Sequence, residues 1–94
     1  MRIIIVGCGK VGSTITEQLV KEGHDVAVID RDSSVIQDIT NNFDVMGVVG
    51  NGASYSIQKE AGIEDAHLLI AVTGSDEQNL LCCLFAKKAG NCNT

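Results

Sequence analysis

The 94 residues are 45% hydrophobic but only 3% aromatic, include ten glycines and no proline, and carry a formal charge of −5 at pH 7. A chain of this length buries roughly 60–65% of its unfolded surface, enough for one small domain around a modest core. Twelve Asp and Glu against seven Lys and Arg argue against nucleic acid or anionic lipid as a partner; no apolar run approaches the roughly 18 residues of a membrane span, and secretion is not expected of the opening residues.

Arg2 to Val6 is a short apolar run ending in glycine, the pattern of a strand buried on both faces. From Lys10 to Glu22 the positions Val11, Ile15 and Leu19 recur every four residues and predict one stripe of a helix, which Gly23 stops. Asp25 to Ile29 is the second predicted strand. Asp32 or Ser33 caps a second helix with Val35, Ile36 and Ile39 inward. Val45 to Val49 reads as the third strand, closed by Gly50-Asn51-Gly52, and Ser54 to Ala61 as a short third helix. Leu68 to Val72 is the fourth strand. Ser75 with Gln78 marks a capping box for a last helix, with Leu80, Leu81, Leu84 and Phe85 inward, Lys87 and Lys88 in its last turn and Gly90 at its end. The βαβαβαβα alternation requires a parallel sheet with right-handed crossovers. The expected fold is therefore α/β, a Rossmann-like doubly wound sheet of about four βα units in the order 3-2-1-4.

Gly7-Cys8-Gly9-Lys10-Val11-Gly12 matches G-x-G-x-x-G between a predicted strand and helix, and Asp30 ends the next strand 18 residues after Gly12. In that context Gly7 serves a tight turn, Gly9 lets the backbone approach a pyrophosphate, and Gly12 lets the helix pack on the sheet. The first-turn N–H groups face the phosphates, aided by the helix dipole. Asp30 is placed to accept from both hydroxyls of an adenosine ribose. A 2′-phosphate there meets like charge, although Arg31 blurs that preference. Asn51, Gly52 and Ala53 end the third strand on the same edge and are expected near adenine. Thr73 and Gly74 lie where the strand order reverses, and Asp76 and Asn79 are further ligand candidates.

The four cysteines, Cys8, Cys82, Cys83 and Cys92, show no C-x-x-C spacing and no histidine at ligand distance, so neither a metal site nor a disulfide framework is expected. A helix N-terminus lowers a thiol pKa, but Cys8 is read first as a small packing residue. His24 and His67 precede strands, at the edge opposite the cleft. Tyr55 and Lys59 imitate a Y-x-x-x-K pair, yet fall on the adenosine half. The pattern thus offers a nucleotide site without catalytic residues, and an enzyme is not expected.

Residues 2–12, Val28-Ile29-Asp30-Arg31-Asp32, Val49-Gly50-Asn51-Gly52-Ala53 and Ala71-Val72-Thr73-Gly74-Ser75-Asp76-Glu77-Gln78-Asn79 together resemble the RCK-N (KTN, TrkA-N) domain of Trk-type potassium-uptake regulatory subunits. The resemblance covers essentially the whole chain. It implies a cytoplasmic regulatory domain that binds NAD(H), or ATP, ADP or AMP at the same site, at Gly7 to Gly12, Asp30, Arg31, Asn51 to Ala53, Thr73 and Gly74. It also implies a membrane K⁺ transporter or channel as partner, reached at the inner face of the membrane, and a homo-oligomer, dimer or ring. Residues 1–94 are expected to be such a domain without its C-terminal strands, holding adenosine and pyrophosphate better than nicotinamide, and pairing through the apolar fourth strand. The alternative is the cofactor-binding half of an NAD-dependent oxidoreductase.

Overall fold

Four parallel strands carry the fold: β1 (Arg2–Val6), β2 (Asp25–Asp30), β3 (Met46–Val49) and β4 (Leu68–Ala71), in the spatial order β3-β2-β1-β4. This is the strand order expected of the sequence. The computed structural model describes residues 1–75, 79, 80, 82 and 83. Helices α1 (Lys10–Lys21), α2 (Ser33–Asn42) and α3 (Tyr55–Glu60) make the crossovers, and a 3₁₀ turn at Ile63–Asp65 leads into β4.

β1 and β2 alternate their side chains between two covered faces, which is why both read as unbroken apolar runs; β3, at the edge of the sheet, buries Val48 and leaves Met46 and Val49 exposed. Ile3, Ile5, Val26 and Val28 point to one face and meet Ile36 and Ile39 of α2. Ile4, Val6, Ala27, Ile29, Val48 and Leu69 point to the other and meet Ala61, Ile63 and Cys82. Asp32 is the N-cap of α2, its carboxylate accepting from Ser34 N at 2.9 Å. Gly23 follows α1 at φ 85°, donating to Val20 O at 3.0 Å, a C-terminal stop of the expected kind.

Two residues expected on buried faces are exposed instead. Val11 is 61% exposed; the buried residues of α1 are Gly12 and Thr16. Ile15 and Leu19 of the expected stripe do pack against the core, so the miss is confined to the first turn, where bare Gly12 seats against the loop after β1 and Val11 is left outside. Thr16 tolerates burial because its Oγ1 donates to Gly12 O at 2.8 Å within the helix. Leu80 is also 61% exposed, and Cys82 of the same helical stretch is the residue that enters the core. The capping role of Gln78 and the positions Leu81, Leu84, Phe85, Lys87, Lys88 and Gly90 lie outside the described residues.

Register sets the functional edge. Val6 pairs with Ile29 and with Ala71, and Asp30 pairs with Val49. The strands therefore finish in one row, and the four loops that leave them gather on one side of the sheet.

Candidate functional site

β1 ends at Val6 and the chain turns through Gly7 at φ 98°, a left-handed conformation that glycine adopts without a Cβ penalty. Gly7 N donates to Ile29 O at 2.8 Å and ties the loop to β2. Gly9 is the N-cap of α1, and no side chain caps that helix. Its first-turn N–H groups and the positive end of its dipole are thus left for something outside the helix. A Cβ on Gly12 would stand 1.9 Å from Gly7 O, so the close seating of α1 depends on its absence.

The loops enclose a cavity of about 630 Å³, within the usual range for a small-molecule site. Of the residues expected there, Gly7, Gly9, Asp30, Arg31, Gly52, Thr73 and Gly74 line it. Gly50 and Ser75 line it as well, and sequence reasoning did not include them. Cys8, Lys10, Val11, Gly12, Asn51 and Ala53 do not. A Cβ on Gly9 or Gly74 would meet nothing within 4 Å. Both glycines leave open space in the cleft, as close approach of a phosphate to the backbone demands.

Asp30 is held rather than loose. Its Oδ2 accepts from Cys8 N and its Oδ1 from Asp32 N, both at 2.9 Å. One backbone donor on each oxygen leaves each with acceptor capacity for a ligand. Among the described lining residues Asp30 is the one anion and Arg31 the one cation. The cost of this arrangement falls on the loop, since the Cys8 N–H is given to Asp30 rather than to a phosphate. A similar substitution occurs after β3, where Asn51 Oδ1 accepts from Ala53 N at 2.9 Å. That bond closes a local turn and removes the Ala53 N–H from the set expected near adenine.

Asn79 is a positioning group and not a lining one. Its Oδ1 accepts from Thr73 N at 2.9 Å and from Thr73 Oγ1, and its Nδ2 donates to Thr73 O at 3.2 Å. The amide fixes the β4 wall of the cleft from behind. Asp76, the other ligand candidate of that loop, lies outside the described residues.

The Cys8 thiol turns away from the cleft into the α1–α2 face and is 4% exposed. Burial, reinforced by the Asp30 charge, pushes it up to about 12 from 9.0; the helix terminus does not activate it. The neutral thiol is the form the fold accepts, so its contribution is whole below about pH 9 and is lost as the pH rises towards 12. Cys82, pushed up to about 11 by burial, acts with the same sign. Urea titrations over this range are expected to show a falling midpoint in the parent chain and a shallower fall in Cys8→Ala.

The remaining titratable candidates stay away from the cavity. His24 Nδ1 lies 3.1 Å from the Met1 amino terminus, and His67 Nδ1 accepts from Arg2 N at 3.1 Å. Both sit where the strands begin. Tyr55 donates to Glu64 at 3.3 Å and Lys59 lies 3.9 Å from the same carboxylate, so that pair is a surface cluster. No helix among the described residues is long and apolar enough to cross a membrane.

A family profile described as the TrkA-N domain matches residues 3–94. The chain belongs to the TrkA-N domain family. Among curated proteins this TrkA-N domain is 41% identical over 86 residues to the Trk system potassium uptake protein TrkA of Halomonas elongata, covering 92% of this chain and 19% of that protein. The homolog from Archaeoglobus fulgidus is 42% identical over 90 residues, 96% of this chain and 20% of that one. The domain thus spans about a fifth of these relatives. In structure it is similar to the TrkA-N domain of the inner membrane protein ybaL from Escherichia coli, with a TM-score of 0.90 and 24% identity over 98% of this chain and 67% of that one. The Kef CTD of Shewanella denitrificans in AMP-bound form superposes with a TM-score of 0.82 and 24% identity, covering 94% and 52%. The GsuK channel bound to NAD gives 0.80 and 20%, covering 97% and 16%. At these identities the superpositions establish a shared fold.

Proposed function

We propose that this TrkA-N domain is a regulatory module of a K⁺ uptake system. It binds NAD(H) or an adenine nucleotide in the cleft and acts from the cytoplasmic side on a membrane transporter or channel partner. The observation that carries this reading is the Asp30 carboxylate, anchored by two backbone N–H groups beside an uncapped helix N-terminus. Paired acceptors suit a ribose diol, and helix N–H groups suit phosphates. The names of the Trk relatives supply the transport context, and AMP and NAD in structures of the same fold support the ligand class.

Regulation in this reading is differential affinity. A nucleotide that binds one arrangement of a homo-oligomer about tenfold more tightly than another shifts their balance by about 1.4 kcal/mol. Calorimetry with NADH, NAD, ATP, ADP and AMP is expected to give saturable heat for at least one of them. No heat from any of the five would overturn the reading. In the full-length protein, Asp30→Ala is expected to abolish the nucleotide response of K⁺ flux. Hydride transfer by the full-length protein on a panel of small carbonyl substrates would instead favour an oxidoreductase.

A further inference from the structure

Two polar side chains are wholly buried among the described residues, Thr16 and Gln58. Thr16 is satisfied inside its own helix. Gln58 reaches out of α3, its Nε2 donating to Gly52 O at 2.8 Å and to Cys82 O at 2.9 Å. Both partners are carbonyl oxygens, so the amide nitrogen must face them, and Oε1 is left buried with no partner. An apolar side chain of equal length would fill this space without orphaning an acceptor. The amide is therefore accounted for by the bridge it makes and not by packing.

The bridge joins two places of different kind. Gly52 lines the cleft and is pressed against Val6, whose Cγ1 would stand 2.3 Å from a Cβ at that position. Cys82 belongs to the helical stretch that also contains Asn79, and Asn79 holds Thr73 on the opposite wall. Two amide side chains thus fasten one helical stretch to both walls of the same cavity. We propose that Gln58 is a positioning residue that couples the Gly52 wall of the cleft to the helical stretch bearing Asn79 and Cys82, so that a filled cleft tightens that stretch. The coupling to a filled cleft rests on the nucleotide reading above; the latch itself does not. Coupling of this kind is reciprocal, so whatever holds the stretch in place also favours the ligand.

Cys82 is a built-in reporter, since it is buried in the parent chain and reacts only when its helical stretch opens. The experiment follows iodoacetamide alkylation of Cys82 by mass spectrometry in the 94-residue chain, with Cys8 under the opposite sheet face as the reference thiol. In Gln58→Met without ligand, Cys82 is expected to react about tenfold faster while Cys8 is unchanged, as the loss of two buried hydrogen bonds implies. In the parent chain AMP is expected to slow Cys82 alkylation, and in Gln58→Met it no longer does. An unchanged Cys82 rate in ligand-free Gln58→Met overturns the latch. AMP that protects the amides of residues 50–53 from hydrogen exchange without slowing Cys82 overturns the coupling. AMP that protects neither overturns the nucleotide reading, and the ligand-free comparison still decides the latch. If Gln58→Met exposes Cys8 and Cys82 together, the chain has unfolded globally. Gln58→Asn, which keeps an amide too short to span both carbonyls, then decides by the same rates.

Discussion

Gly12→Ala is expected to lower the urea midpoint of the chain by about 2 M, whereas Gly9→Ala is expected to leave it unchanged and weaken nucleotide binding at least about tenfold. The two glycines belong to one motif, six residues long, but the structure separates their duties. A methyl on Gly12 would lie 1.9 Å from Gly7 O and 2.9 Å from Gly7 C. Both are backbone atoms, so no side-chain rotation relieves the contact. Either α1 lifts from the sheet or the Gly7 turn, itself held by Ile29 O, is displaced. Overpacking of this sort costs about 3 kcal/mol or more, which outweighs the roughly 1 kcal/mol gained by alanine over glycine in a helix. A domain of this size holds on the order of 5–14 kcal/mol in all, so the loss is a large share.

Gly9 offers the contrary case. Its φ of −69° and ψ of −163° are extended backbone, open to alanine, and nothing lies within 4 Å of its missing Cβ. The methyl would occupy only the cavity. Stability is expected to change by less than about 0.5 kcal/mol, while affinity for AMP or NADH falls at least about tenfold because the backbone no longer reaches the phosphates. If Gly9→Ala binds AMP as the parent does, the phosphate role of this loop is wrong. If Gly12→Ala keeps its midpoint, the close seating of α1 is wrong.

The same contrast explains what could be read from the sequence. β1 and β2 were legible because burial on both faces leaves a plain apolar run, and the parallel pairing followed from alternation with helices. The inner face of α1 was legible at Ile15 and Leu19, which pack against the core, and not at its most deeply buried positions. Its buried line runs through Gly12 and Thr16, a residue with no side chain and one whose hydroxyl is satisfied by its own helix, and neither carries a hydrophobic signal. Val11 does carry that signal and faces solvent.

At the site, residue types were legible and their partners were not. Asp30 and the glycines stood at the spacing the chemistry needs. That Cys8 N and Ala53 N are already engaged by Asp30 and Asn51 depends on loop geometry that no spacing encodes. Gln58 reads as a surface residue of a short helix. Only the fold shows that it is buried between two carbonyls from remote parts of the chain. Asn79 closes the 71–79 stretch that carries the family resemblance, and its side chain fastens Thr73 where a ligand contact was expected.

Asp30→Ala is expected to weaken AMP binding about 100-fold, which corresponds to roughly 3 kcal/mol for two charge-assisted hydrogen bonds to one ribose. Some of any loss will be structural, because Cys8 N and Asp32 N both give up an acceptor and the first of these is partly buried. The two contributions are separable with 2′-deoxyAMP. In the parent chain, removing one hydroxyl that faces the carboxylate is expected to weaken binding about tenfold. A residue that only shapes the loop would weaken AMP and 2′-deoxyAMP equally when replaced, and the ratio would survive. A residue that reads the ribose takes the ratio with it, and in Asp30→Ala it is expected to fall to about one. NADPH gives a second measure of the same contact. Its 2′-phosphate meets the Asp30 charge in the parent chain, so NADH is preferred. In Asp30→Ala the phosphate faces Arg31 without that repulsion, and the preference narrows or reverses. An undiminished ratio for the deoxynucleotide would place Asp30 in the scaffold of the loop and leave the ribose to be recognised elsewhere in the cleft.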